Sequence, residues 1–110
     1  MDEQQFRKRA DTALDELNRS LIEAESDGDF EVELQSGALH ISFEEPPGRF
    51  VVSPNAPVRQ IWISALSTSF KLDWSDDASD FVLLRTGERL KPLMSRLINE
   101  QTGSNNVELT

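Results

Sequence analysis

Apolar residues recur at helical spacing near both ends of the chain. Over residues 4–24 they return every three or four positions while charged side chains occupy the opposite side, which predicts an amphipathic helix. The same spacing recurs over residues 90–98, and Gly103 supplies a stop signal. Pro92 is compatible with this second helix because it falls in the first turn. Each predicted helix therefore has one apolar face to bury.

Six stretches between these helices are predicted as strands, and the first, second and fourth alternate apolar and polar residues at period two, the pattern of a strand with one buried face. They cover residues 30–35, 38–43, 49–53, 58–64, 70–74 and 81–85. The proline-containing segments 44–48 and 54–57 are predicted as a turn and a loop, because proline cannot donate a ladder hydrogen bond. In the polar tail after Gly103, Val107 and Leu109 either dock or fray.

The order of helix, meandering strands and helix predicts an α+β fold. We expect a two-layer sandwich, in which an antiparallel sheet of about six strands carries the N- and C-terminal helices on one face. The other face of the sheet is then open to water. Because the chain has 110 residues, of which 37% are apolar, we expect a single domain spanning residues 1–110.

The stretch 59–64 raises a question about the open face. If Ile61 and Ile63 point into the core, the same pleat places Gln60 and Trp62 on the opposite, solvent-facing side. We expect a large indole at such a position either to be covered by a neighbouring side chain or to take part in binding.

Two explanations of Trp62 stay open. Lys71 or Arg49 on a neighbouring strand could cover the ring, which would be a packing role. Alternatively, Gln60 and Trp62 form the centre of a protein-binding face, since exposed aromatic residues are enriched at interface hot spots.

The net charge of the chain limits the class of partner that it can bind. The formal net charge is -9, from 20 acidic and 11 basic residues, which argues against nucleic acid and favours a cationic partner. Residues 1–33 hold eleven acids and four bases, a net of -7. A surface that accumulates such repulsion is a candidate site for a hard cation held loosely by carboxylate oxygens, although a merely solvated face is the simpler reading.

Other function classes find little support. The chain has no cysteine, which excludes disulfides and thiolate metal sites made by this chain alone. The single histidine, His40, falls at a polar strand position, where we expect it to face solvent rather than act as a base or ligand. We therefore expect a protein that is not an enzyme. No stretch approaches the roughly 18 apolar residues of a spanning helix, and we expect no membrane partner and a cytoplasmic location.

Several motifs resemble those of bacterial CyaY-type frataxins, and the resemblance covers nearly the whole chain. After the acidic helix and acidic first strand, it is carried by Ser36-Gly37-Ala38-Leu39, Pro57, Gln60-Ile61-Trp62-Ile63-Ser64 and Asp73-Trp74. The Gln-Ile-Trp run is fairly specific, whereas an acidic helix alone is not. The chain departs from animal frataxins at Ser53, where they carry Asn, and at Lys71, where they carry Arg, whose bidentate fork Lys lacks.

The resemblance implies an α+β sandwich that binds iron weakly on an acidic ridge and associates with the cysteine desulfurase and scaffold of iron-sulfur cluster assembly. It implies Fe2+ or Fe3+ as the bound metal, with other divalent cations as alternatives. The implied ridge comprises Asp11, Asp15, Glu16, Glu23, Glu25, Asp27, Asp29, Glu31 and Glu33. The implied partner contact comprises Gln60 and Trp62, with Lys71 beside them.

The leading hypothesis is a non-enzymatic, iron-binding regulator of cluster assembly that is a monomer, with metal-dependent oligomers as an alternative state. The competing hypothesis is a metal-independent interaction module, whose acidic face binds a basic protein surface. An iron oxidase is disfavoured because no Glu-x-x-His pair provides a paired-metal site.

Overall fold

The computed structural model describes residues 1–25, 30–104 and 107–109. Two helices enclose a run of strands, as the hydrophobic pattern predicts. The elements in chain order are α1 (Glu3–Ala24), β1 (Phe30–Gln35), β2 (Ala38–Glu44), β3 (Pro47–Asn55), a 3₁₀ turn (Ala56–Val58), β4 (Gln60–Ala65), β5 (Thr68–Ser75), β6 (Asp80–Leu83), β7 (Glu88–Arg89) and α2 (Leu90–Thr102).

The strands form one seven-stranded antiparallel sheet in the order β1 to β7, so each strand pairs with its neighbours in sequence. Both helices pack on one face, and the α+β sandwich predicted from the sequence is confirmed. The side chains between the layers include Phe6, Leu17, Leu39, Ile41, Ile61, Ile63, Leu93 and Leu97, each at most 1% exposed. They occupy the apolar positions of the alternating and helical patterns. These positions face the interior because burying them removes the largest area of hydrocarbon from water.

The helix ends follow from local chemistry. Asp2 caps α1, since its side chain accepts a hydrogen bond of 2.7 Å from the amide of Gln5. Gly103 ends α2 in the left-handed conformation, with φ of 69°, as the stop signal predicts. No helix in the described part of the chain is long and apolar enough to span a membrane.

Strand β3 is longer than the sequence predicts. The prediction of residues 49–53 is wrong at both ends, because Pro47 and Pro54 both lie within the strand. Pro47 is the first residue of β3, where proline is tolerated. The ladder to β2 reaches only Leu39 opposite Val52, so Pro54 lies beyond it and loses no hydrogen bond to that strand.

The fourth and sixth strands begin and end differently from the prediction. Val58 belongs to the 3₁₀ turn, and Arg59 adopts a positive φ of 55°, so β4 starts at Gln60 and not at residue 58. β6 ends at Leu83, whose carbonyl accepts the amides of two turn residues, and the predicted extension to residue 85 is therefore wrong. The two-residue β7 was not predicted, because Glu88 and Arg89 are both charged and show no alternation.

Candidate metal-binding and docking surfaces

The open face of the sheet brings the three predicted partner-binding residues together. Trp62 of β4 lies opposite Lys71 of β5, whose Nζ is 4.9 Å from the centroid of the indole ring. The indole Nε1 donates a hydrogen bond of 2.9 Å to Oε1 of Gln60. Gln60 in turn donates from Nε2 to Oδ1 of Asp73 over 3.1 Å. We name Gln60, Trp62, Lys71 and Asp73 the sheet-face cluster.

Asp73 is the member of this cluster that the sequence prediction missed. Asp73 is two residues after Lys71 in β5, so both side chains lie on the same face, and it pairs with Gln60 across the ladder. The period-two pattern could therefore have placed Asp73 on the open face. The hydrogen bonds and the lysine hold the half-buried indole in one orientation. Of the two predicted covers of the ring, Lys71 is confirmed, whereas Arg49 lies opposite Ser42 and the prediction for it is wrong.

The acids of α1 are distributed around more than one side of the helix. Asp11 lines a depression that also contains Arg7 and Pro54. Glu16 lines a different groove, which also contains Asp80 of β6. Burial raises the pKa of Asp80, and the charge of Glu16 raises it further. Two predicted ridge residues are therefore on separate surfaces.

Two of the predicted ridge acids already have partners within the chain. Asp15 forms an ion pair of 3.1 Å with Arg19, one turn further along α1. Glu25, directly after α1, accepts a hydrogen bond of 2.9 Å from the amide of Val32 in β1. Both carboxylates keep free lone pairs. The hydrogen bond orients the carboxylate of Glu25, whereas that of Asp15 is 56% exposed and held only weakly by its ion pair.

The acids of β1 lie on the open face of the sheet. Phe30 is buried towards the helices, so Glu31 and Glu33 point to the opposite side, across from Ser42 and His40. The ridge acids of β1 and those of α1 thus lie on opposite sides of the sandwich, the first on the open face of the sheet and the second on the helix layer.

A further acidic depression adjoins β1 that was not predicted as a site. Its volume is about 660 Å³, and Glu31, Ser42, Glu44 and Glu45 line it. Glu44 and Glu45 were read from the sequence only as turn residues, although Glu44 ends β2 on the same face as Ser42. The pleat of β2 was the signal that could have found Glu44.

The described residues contain no group of three or more histidine or acidic side chains that could chelate a metal ion. Asp27 and Asp29 lie outside the described residues. The side chains of Asp11, Glu23 and Glu33 make no hydrogen bond or ion pair with other described residues. Carboxylate oxygens suit hard cations, and this spacing offers one or two at a time, the donor set of a weak, open site.

His40 lies on the open, solvent-facing side of the sheet, as predicted, but its ring is half-buried there. It lies between Glu33 of β1 and Val51 of β3, and its Nδ1 is buried without a hydrogen-bond partner among the described residues. The side chains of the two neighbouring strands flank the ring and cover part of it, because β2 is paired on both sides.

Comparisons with known proteins agree with this architecture. The family described as "Frataxin-like domain" matches residues 1–104. The chain is 26% identical over 93 residues to the iron-sulfur cluster assembly protein CyaY of Pseudomonas fluorescens, covering 83% of this chain and 84% of the relative. It is 29% identical over 105 residues to the protein of the same name from a Janthinobacterium species, covering 94% and 92%.

Among solved structures, the frataxin of Psychromonas ingrahamii superposes with a TM-score of 0.82, covering all of this chain and 99% of the other. The sequence identity of that pair is 20%, so the likeness concerns the fold. With the family match spanning nearly all residues and the helix-sheet-helix sandwich in common, the chain belongs to the frataxin family, in its bacterial CyaY type.

Proposed function

We propose that this protein is a non-catalytic accessory protein of iron-sulfur cluster assembly. The observation that carries the proposal is the family match over residues 1–104, together with curated relatives that are named for cluster assembly. Its partners are then members of the assembly machinery. The two surfaces described above supply the candidate contacts.

The acidic surface is proposed to hold iron weakly. Residues 1–33 carry a net charge of -7, which concentrates cations near α1 and β1. Because the described carboxylates are dispersed, the binding is shared among several one- or two-ligand positions and does not resemble a closed cage. The same negative field attracts a basic surface of a cysteine desulfurase, so metal and protein compete for it.

The sheet-face cluster is proposed to dock on the desulfurase or its scaffold. Its indole is fixed by Gln60 and Lys71 before any partner arrives, which lowers the entropy cost of binding. The ring, a cation and Asp73 lie side by side, and this mixture of aromatic and polar groups is typical of interface hot spots.

Dispersal of the acids also supports the second candidate, a metal-independent interaction module. No three acids within the described ranges are placed so that they could hold one metal ion together. In that case the acidic face serves a basic protein surface, and iron binding is incidental.

Amide nuclear magnetic resonance of the full chain tests the metal half of the proposal. Under anaerobic titration with Fe2+, we expect amides within residues 11–33 to broaden before those of the sheet-face cluster. The double variant Asp11→Asn, Glu23→Gln should weaken this effect, whereas Asp77→Asn, Glu108→Gln removes the same charge elsewhere and should not. Broadening that begins outside residues 11–33, or equal behaviour of the two variants, would contradict iron binding on this surface.

Binding of a cysteine desulfurase with metal chelated separates the two candidates. Loss of binding in Trp62→Ala, but not in the control Ile22→Ala on the helix layer, supports docking through the sheet face. Metal-free binding that persists in Trp62→Ala and disappears on neutralising Asp11 and Glu23 supports the metal-independent module.

A further inference from the structure

The edge of the sheet at β1 is open over part of its length. β1 is the first of seven strands and pairs only with β2. In an antiparallel ladder, residues that bond to the neighbouring strand alternate with residues whose amide and carbonyl point away from it. The amide of Val32 points away from β2, because it donates to Glu25 at 2.9 Å. By the same alternation, the amide and carbonyl of Leu34 point outward as well.

Leu34 marks the part of this edge that is not covered. Glu25 accepts the amide of Val32, whereas the amide and carbonyl of Leu34 have no hydrogen-bond partner among the described residues. The Leu34 side chain is 51% exposed, although it lies on the same side of β1 as the buried Phe30. Unpaired backbone groups beside an exposed apolar side chain favour the addition of a further strand.

The other side of β1 is acidic. Glu31 and Glu33 are exposed on the open face of the sheet, and neither forms an ion pair with a described residue. Glu31 also lines the acidic depression of about 660 Å³, together with Glu44 and Glu45. No lysine or arginine of the described chain lines this depression. The positive charge that complements it has to come from another molecule.

These charges decide which strand can pair with the edge. A second copy of β1 would bring its own Glu31 and Glu33 beside those of the first copy, and like charges on paired strands destabilise the pairing. A segment with lysine or arginine at every second position forms cross-strand ion pairs instead. Its intervening side chains lie on the side of Leu34, where apolar groups fit.

We propose that the edge of β1 binds an extended segment of a partner protein, in which basic and apolar residues alternate, as an additional antiparallel strand. An apolar residue lies opposite Leu34 and exchanges backbone hydrogen bonds with it, while basic residues lie opposite Glu31 and Glu33. Antiparallel pairing continues the pattern of the existing sheet and places opposed side chains on one face. The pairing requires neither iron nor the sheet-face cluster, so it is testable apart from the proposed function.

Amide shifts and hydrogen exchange of the labelled full chain test the proposal, with a blocked decapeptide of alternating lysine and valine as the probe. We expect saturable shifts at residues 30–35 and none at residues 60–64. The amide of Leu34 should exchange about tenfold more slowly in the complex, because it gains an acceptor.

Two N-methylated forms of the peptide separate strand pairing from charge attraction. Methyl groups on the valine nitrogens remove the donors that face Leu34, whereas methyl groups on the lysine nitrogens remove donors that face solvent. The two forms have the same charge and the same side chains. We expect the valine-methylated form to bind about tenfold more weakly, since it loses hydrogen bonds to the edge.

A pair of charge variants tests the acidic side of β1. Glu31→Gln combined with Glu33→Gln should weaken peptide binding about fivefold, through loss of two exposed ion pairs. Asp77→Asn combined with Glu108→Gln removes the same charge elsewhere and should retain most of the affinity.

Three results would overturn the assignment. One is the absence of saturable shifts at millimolar peptide. Another is equal binding of the two methylated peptides, or unchanged exchange at Leu34, which indicates charge attraction without strand pairing. The third is slow exchange of the Leu34 amide that appears without peptide as the protein concentration rises, because a second copy then occupies the edge.

Discussion

The carboxylate of Glu25 joins the end of α1 to the outer edge of the sheet. β1 is an edge strand, and the amide of Val32 points away from β2 towards Glu25 Oε2. An unpaired amide on an edge strand is both a lost hydrogen bond and a template for pairing with another chain. Glu25 removes both costs, so its position after α1 has a structural explanation that is independent of metal.

Replacing Glu25 should therefore separate hydrogen bonding from charge. Glu25→Ala is expected to lower the free energy of unfolding by about 1 kcal/mol, because the Val32 amide loses its acceptor. Glu25→Gln keeps an acceptor and should lose less. Urea denaturation measures both, with Glu23→Ala, an exposed neighbour without a partner among the described residues, as the control. Equal stability of Glu25→Ala and the control would contradict the edge contact.

At the scale of elements, α2 holds the segment that follows it. The Asn99 side chain donates to the carbonyl of Val107 over 2.9 Å and accepts from its amide over 3.1 Å. Ser95 Oγ accepts the amide of Leu109 at 2.9 Å. Val107 and Leu109 are only 4% and 7% exposed, so of the two alternatives left open by the sequence the structure shows docking.

Two substitutions of Asn99 should weaken this docking to different extents. Asn99→Ala loses both hydrogen bonds and is expected to cost about 1–3 kcal/mol, whereas Asn99→Asp keeps the acceptor and should cost less. Hydrogen exchange at Val107 and Leu109 should accelerate in the same order. Unchanged exchange in Asn99→Ala would show that the apolar contacts alone hold the tail.

At the scale of the whole molecule, the surface carries more negative charge than its ion pairs neutralise. The described residues contain four ion pairs, of which three lie one turn apart on a helix and are worth little in water. Repulsion among the remaining acids opposes the compact state, most strongly at low ionic strength. The acidic surface is thus expected to limit stability.

Removing part of this charge should stabilise the protein. Asp11→Asn combined with Glu33→Gln is expected to raise the free energy of unfolding by about 0.5 kcal/mol, since like charges on neighbouring positions cost a few tenths each. The gain should shrink as salt is added, because ions screen the repulsion. Thermal denaturation at low and high salt measures it. A lower melting temperature at low salt would show that these acids stabilise the fold through contacts and do not strain it.

The sequence by itself determined the order of the elements and the face that each buries. Ile61 and Ile63 had to point inward and Trp62 outward, because alternation follows from the geometry of a single strand. The helix of residues 4–24 and the stop at Gly103 were predictable for the same local reason. The concentration of acids near the N-terminus was also visible without any structure.

Only the tertiary structure decided which of these side chains meet. The register of β4 and β5 places Lys71 over Trp62 and Asp73 beside Gln60, and register depends on long-range pairing. The rotation of α1 against the sheet sends Glu16 to the groove of Asp80 and aims Glu25 at the sheet edge. Periodicity fixes the direction of a side chain relative to its own element, whereas its partners depend on how elements pack. That is why the face on which each side chain lies was predictable, whereas its neighbours across the fold were not.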